Sequence, residues 1–194
     1  MGSIGFWNVR GMNSMNKQAD IKWFLHTNNV GLCGLLETRV RTGSINKVHQ
    51  GLGNNWKVVH NNNAHDGGRI WVIWVPAIFT VDILACEAQV IHSKVTSLQS
   101  GIVWWLSMVV MGDFNNVLAL NERLGSEVTN YEIKDFQNCV ADCGLVDVPA
   151  HGAYFTWNNK HDPGDMVFSR IDRVRSNDEW LLQFPDVSIM LLEK

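Results

Sequence analysis

The chain has 194 residues, nearly half of them apolar and nine of them tryptophan. That suits one domain, spanning residues 1–194, with a substantial core, and it excludes a disordered chain. The net charge of −3 argues against a strong non-specific grip on nucleic acid, but it is uneven. Residues 1–60 carry seven Lys/Arg against two Asp/Glu, and residues 61–194 carry nine against seventeen. The basic part suits a phosphate backbone, although charge alone is better read as solvated surface. The longest apolar run, Ile102–Met111, is broken by Ser107 and is about half the ~20 residues of a membrane span. Met1-Gly2-Ser3 enters a strand directly, with no targeting segment visible. Cys33, Cys86, Cys139 and Cys143 form no Cys-x-x-Cys pair, and reduced thiols packed as small hydrophobes in an intracellular protein are expected.

In chain order, Ser3–Arg10 reads as a strand and Met15–Thr27 as a helix with Trp23 and Phe24 on its inner side, closed by an Asn-Asn pair. Val30–Leu36 is a continuous apolar run, typical of a strand covered on both faces. A short helix near Ser44–Leu52 and a strand at Trp56–His60 follow. Ile70–Val75, Phe79–Ala85, Gln89–Ser97 and a run from Ile102 onward read as strands. Thr129 and Glu132 make a capping box for a helix to about Cys143, with Phe136, Val140 and Cys143 as its buried stripe. Tyr154–Asn158 and Phe168–Arg175 read as strands, Asp178–Phe184 as a helical turn or two, and Val187–Leu192 as a last strand. Helices between some strands and runs of strands elsewhere imply sheets layered with helices.

Several strands end in polar groups: Asn8, Glu37, then Asp113 and Asn115 in MGDFNN. Asp172 interrupts another in SRIDRV. In α/β sheets ligands bind at the carboxyl ends of strands. Taken singly, each such residue reads as a turn or cap. Taken together they fit one chemistry. Glu37 is a hard oxygen ligand suited to Mg²⁺, which often takes one or two protein carboxylates and keeps its waters. Asp113 suits orienting and deprotonating a water, and Asn115 suits donating to a phosphate oxygen. The sum is metal-assisted phosphodiester hydrolysis.

WNVRG at Trp7–Gly11, LLETRV at Leu35–Val40, GGRIWVIW at Gly67–Trp74, MGDFNNVL at Met111–Leu118, FTWNN at Phe155–Asn159 and SRIDRV at Ser169–Val174 resemble the endonuclease/exonuclease/phosphatase superfamily. Within it, the chain is most similar to the apurinic-type endonuclease domain of plant non-LTR (LINE-type) retrotransposons. The resemblance covers almost the whole chain, with the motifs in the family's order. It implies the deoxyribonuclease I-like fold, an α/β four-layer sandwich of two packed mixed sheets flanked by helices. It also implies roles. Glu37 is the principal Mg²⁺ ligand, with Mn²⁺ as a substitute, and Asn8 is the second metal-site residue, which also orients groups near the metal and the attacking water. Asp113 activates the water, Asn115 binds the scissile phosphate, and Asp172 pairs with a catalytic histidine. Arg10, Arg39, Asn115 and Trp157 contact the substrate. The implied partner is nucleic acid, DNA in the first instance, with no membrane and no protein partner. A nuclear location suits that function, though no basic targeting cluster accompanies it. An inactive remnant of such a domain and a phosphoesterase for a non-DNA substrate are the alternatives.

Two departures from the family pattern set further expectations. The chain stops at Leu191–Lys194 before the family's Ser-Asp-His segment, which leaves Asp172 without its expected histidine. His151 and His161 read as surface residues. The run WWLSMVVMGDFN also leaves no room for the family's Tyr-bearing loop and helix. A segment is therefore expected to be absent near Met108–Val110, with two strands fused into one.

Overall fold

The computed structural model describes residues 2–64, 68–105 and 109–191. They fall into two compact units, meeting in sequence at Ser107 and Met108, and each is built around its own apolar cluster.

In the first unit, β1 (Ser3–Asn8) is followed by α1 (Met15–Thr27) and β2 (Val30–Leu36). The Ser14 side chain accepts from the Lys17 N–H and starts α1, satisfying one of the helix's orphan donors. Gln18, Ile21 and Leu25 are its buried residues, spaced three and four apart as one helical face requires. Trp23 falls outside that face and is 69% exposed, contrary to expectation, and Phe24 is only half buried. The chain leaves α1 through Asn28 and a left-handed Asn29. The helix is the crossover that lets β1 and β2 lie parallel. After α2 (Ile45–Leu52), β3 (Lys57–His60) and β4 (Ile70–Trp74) complete a sheet of order β1-β2-β4-β3.

β2 and β4 lie inside that sheet, so both their faces are covered, as the unbroken apolar run of β2 predicts. Alternation then splits their side chains between two cores. Cys33, Leu35, Trp71 and Ile73 join Ile21 and Leu25 of α1 and Val48 and Leu52 of α2. Leu32, Val72 and Trp74 face the other way and pack with Phe79 and Val95. Those two belong to a separate antiparallel meander of β5 (Phe79–Cys86), β6 (Ile91–Ser97) and β7 (Val103–Trp105).

The second unit opens with β8 (Val109–Asp113). β7 pairs with β6 and β8 with a later strand, in different sheets. The expected single fused strand is therefore two strands, and residues 106–108 between them lie outside the described residues. β9 (Arg123–Leu124), α3 (Asn130–Asp142), β10 (Val146–Asp147), β11 (Ala150–Gly152), β12 (Trp157–Asn158), β13 (Phe168–Ser169), β14 (Asp172–Ser176), α4 (Asp178–Gln183) and β15 (Ile189–Leu191) follow. They form sheets of order β10-β14-β8 and β12-β13-β9 and a parallel pair, β11-β15. The expected strand Phe168–Arg175 is two strands because its first half pairs with β12 and β9 and its second with β8 and β10.

Thr129 and Glu132 do form the capping box that starts α3. The buried stripe differs, however. Ile133 is buried with Val117 and Ile171, Phe136 and Val140 are half buried, and Cys143 is exposed. Cover for this helix is concentrated near its start. Of the four cysteines only Cys33 is buried, and Cys86, Cys139 and Cys143 are exposed, so the packed-thiol expectation holds for one. No helix among the described residues is long and apolar enough to cross a membrane.

Candidate active site

In the first unit, the parallel register pairs Asn8 with Leu36, which sets the end of β1 beside the residue that precedes Glu37. The ladder runs on past both strands. Val9 N–H donates to Leu36 O, Gly11 N–H to Glu37 O and Met12 N–H to Thr38 O. On the opposite side, Thr38 N–H donates to Arg69 O at 3.2 Å and Arg39 N–H to Gly68 O at 3.1 Å. Residues 37–39 are thus clamped from two directions.

The clamp imposes an unusual backbone. Glu37, Arg39 and Arg10 have φ of 50°, 52° and 51°, in the left-handed region that costs an L-residue roughly 1–2 kcal/mol. Six described non-glycine residues have positive φ, and four of them, Arg10, Glu37, Arg39 and Asn115, are residues the sequence singles out for chemistry. Backbone strain of this kind collects where function fixes a side chain.

The Glu37 carboxylate is held at both oxygens. Asn8 is buried and its Nδ2 donates to Glu37 Oε1 at 3.0 Å, while its own Oδ1 accepts from Arg10 N–H at 3.3 Å. Arg39 Nη2 donates to Glu37 Oε2 at 2.8 Å. Partial burial pushes the Glu37 carboxyl up. The bonds from Asn8 and Arg39 and the charges of Arg39 and Arg10 outweigh it, and the net displacement is below the usual glutamate value. An ionised, partly exposed carboxylate is the donor Mg²⁺ or Mn²⁺ takes, and one such ligand with water completing the shell fits their habits. Among the described residues no group of three or more His, Cys, Asp or Glu surrounds a common point. The bond from the Asn8 amide nitrogen fixes how the Glu37 carboxylate is turned.

In the second unit, β8 and β14 are antiparallel and Asp113 stands directly opposite Asp172. Asp172 is buried. The Thr156 hydroxyl accepts from both Ile171 N–H and Asp172 N–H, at 3.2 and 3.0 Å. Beyond β8, Phe114 N–H donates to Ile171 O at 2.9 Å. Asn115 N–H then closes a turn onto Asp113 Oδ1 at 2.9 Å, and the left-handed Asn115 is exposed. Two carboxylates facing each other across a ladder are unfavourable unless a cation or donor groups compensate them.

The structure therefore brings Asn8, Arg10, Glu37 and Arg39 together in the first unit, and Asp113, Asn115 and Asp172 together in the second. Trp157 is half buried against Val117, Ile133 and Ile171, so part of its ring belongs to the core. His151 and His161 are exposed, as expected.

Sequence reasoning missed two features beside Asp172. One is Thr156, inside FTWNN, whose hydroxyl braces the strand. The other is an ion network around two buried arginines. Arg173 pairs with Glu122 and, at 3.0 Å, with Asp147, and Arg175 pairs with Asp147 at 2.9 Å. Glu122 also accepts from the Leu118 and Ala119 N–H groups. The available signal is the alternation of SRIDRVRS, which puts Arg173 and Arg175 on one face of a strand where acids must meet them.

No family model and no curated protein matches this amino-acid sequence. Solved structures do match, over nearly all of it. The endonuclease domain of TRAS1, a telomere-specific non-LTR retrotransposon, superimposes with a TM-score of 0.61 at 12% identity, covering 91% of this chain and 85% of that one. The chain has the endonuclease/exonuclease/phosphatase fold. A 3′ phosphatase from Neisseria, NExo, solved with a product DNA hairpin, gives a TM-score of 0.57 at 17% identity over 91% of this chain and 86% of its own. A mannosyl-6-phosphatase of Bacteroides thetaiotaomicron gives 0.58 at 11% identity, covering 92% and 86%. The expected deoxyribonuclease I-like α/β fold class is therefore borne out. Structures sharing this endonuclease/exonuclease/phosphatase fold include nucleases and phosphatases, two kinds of phosphoester chemistry.

Proposed function

We propose that the chain is a divalent-metal-dependent phosphodiesterase of the endonuclease type, acting on nucleic acid and derived from a retrotransposon. The observation that carries this reading is Glu37: an ionised carboxylate at a strand end, held by Asn8 and Arg39 on a backbone that no unconstrained glutamate adopts. Glu37 would hold Mg²⁺ or Mn²⁺, with Asn8 fixing the carboxylate's orientation. When bound, the ion would polarise the phosphate and make a bound water more acidic. Asp113 would orient the attacking water and take its proton, steadied by the Asn115 N–H. The exposed Asn115 amide would donate to a phosphate oxygen, and Arg10 would lend positive charge to the backbone of the substrate. Loss of one preorganised donor of that kind costs on the order of 10²–10³ in rate.

The test is nicking of supercoiled plasmid by the purified chain with Mg²⁺, beside Glu37→Ala, Asp113→Ala and EDTA controls. Nicking lost in all three supports the reading. A folded chain that neither nicks DNA nor releases phosphate is a relic of such an enzyme. The likeness to a sugar phosphatase favours a second reading, a phosphoesterase for a non-DNA substrate, and metal-dependent release of phosphate from a sugar phosphate without nicking would select it.

A further inference from the structure

α3 ends in two cysteines one turn apart. Cys143 caps the helix, and its backbone N–H donates to Cys139 O at 3.0 Å. That is the regular helical bond, so the two side chains stand one above the other on one face. Both are exposed. Neither packs as a small hydrophobe. The left-handed Gly144 ends the helix immediately afterwards, which leaves the dithiol at the helix C-terminus, where the backbone carries partial negative charge.

That setting decides what the pair can do. A reactive cysteine needs positive surroundings that favour its thiolate, and this pair stands at a negative helix end. What two adjacent thiols at a negative helix end do favour is a cation that replaces their protons. We propose that Cys139 and Cys143 form a two-thiolate site for a soft, two-coordinate metal ion of the Cu(I) class.

The donor set chooses the class. Thiolates select soft ions, Cu(I) among them, whereas zinc takes four protein ligands in a structural site. Among the described residues no third His, Cys, Asp or Glu joins the pair. Binding exchanges two S–H protons for two S–Cu bonds and releases both protons to the buffer, with no change of oxidation state. Affinity therefore rises with pH. The other cysteines do not compete: Cys33 is buried, with its thiol pushed up to about 12 by desolvation, and Cys86 stands in β5, outside this pair.

The experiment is an anaerobic titration of the reduced full chain with Cu(I) against a chromophoric Cu(I) chelator. One ion per chain is expected. It is lost in Cys139→Ser/Cys143→Ser and retained in Cys86→Ser. Each single variant weakens binding by on the order of 10²-fold or more, because the second donor no longer acts at high effective concentration. Circular dichroism confirms the fold of each variant. Undiminished binding by the double variant, one ion per two chains, or displacement of Cu(I) by equimolar Zn²⁺ would overturn the assignment.

Discussion

Glu122→Gln tests the ion network beside Asp172. The substitution keeps the volume and removes one charge. Arg173, 1% exposed in its side chain, then keeps Asp147 as its ionic partner, and the bonds from Arg173 and the Leu118 and Ala119 N–H groups, which all fall on one carboxylate oxygen, become bonds to a neutral amide oxygen. Breaking a buried pair by removing one partner costs about 3–5 kcal/mol. The remaining amide acceptor puts the expected loss near the low end, about 3 kcal/mol. With a urea m-value of about 2 kcal/mol/M, the second unit's midpoint falls by roughly 1.5 M. The control is Glu37→Gln, which breaks a pair whose arginine side chain is 67% exposed and is expected to cost under about 1 kcal/mol. Acid distinguishes the sites further. Burial raises the Glu122 carboxyl, but Arg173 and the two backbone donors outweigh it, and its folded value lies below the ordinary one. Its contribution is therefore present above the unfolded value and disappears as pH falls through the folded value. The gap between wild type and Glu122→Gln should close on acidification. Equal losses at Glu122 and Glu37, or a gap unchanged in acid, would refute the reasoning.

Arg39→Gly should be more stable than Arg39→Ala by about 1 kcal/mol in thermal melts, because the left-handed backbone there is strained for any residue with a Cβ. Thr156→Val strips the acceptor from two buried N–H groups and should cost about 2–6 kcal/mol at 1–3 each. Thr156→Ser should restore most of it, as measured by urea unfolding. Because the folded Glu37 carboxyl lies below its ordinary value, Mg²⁺ affinity measured by calorimetry should persist through the ordinary glutamate range and fall only below it. Glu37→Gln should weaken binding wherever the carboxyl is ionised, and the difference should vanish in acid.

The long elements were legible because local signals agree with the fold. The bounds of α1 and β2 follow from the Ser14 cap, the asparagine pair and an unbroken apolar run. The Thr129/Glu132 box placed the start of α3. Faces were harder. Trp23 and Phe24 are neighbours about 100° apart around a helix, and only Ile21 and Leu25 define the side that meets β2. Periodicity carries the stripe on α3 to Cys143, but burial depends on how far the partner strands reach. The site residues were legible as residue types, whereas their left-handed conformations were not, since glutamate and arginine have no preference for positive φ. The roles of Arg173 and Arg175 depended on Glu122 and Asp147, distant in sequence, and no local rule supplies that pairing.

β4 carries two indoles, Trp71 and Trp74, three residues apart and so on opposite faces of one strand. Each is buried in a different core of the first unit, which makes β4 a wall shared by both. Melting either core strips one face of this strand and leaves the other without its backing. The two cores should therefore open in a single transition, and an intermediate with one intact and the other molten should not accumulate.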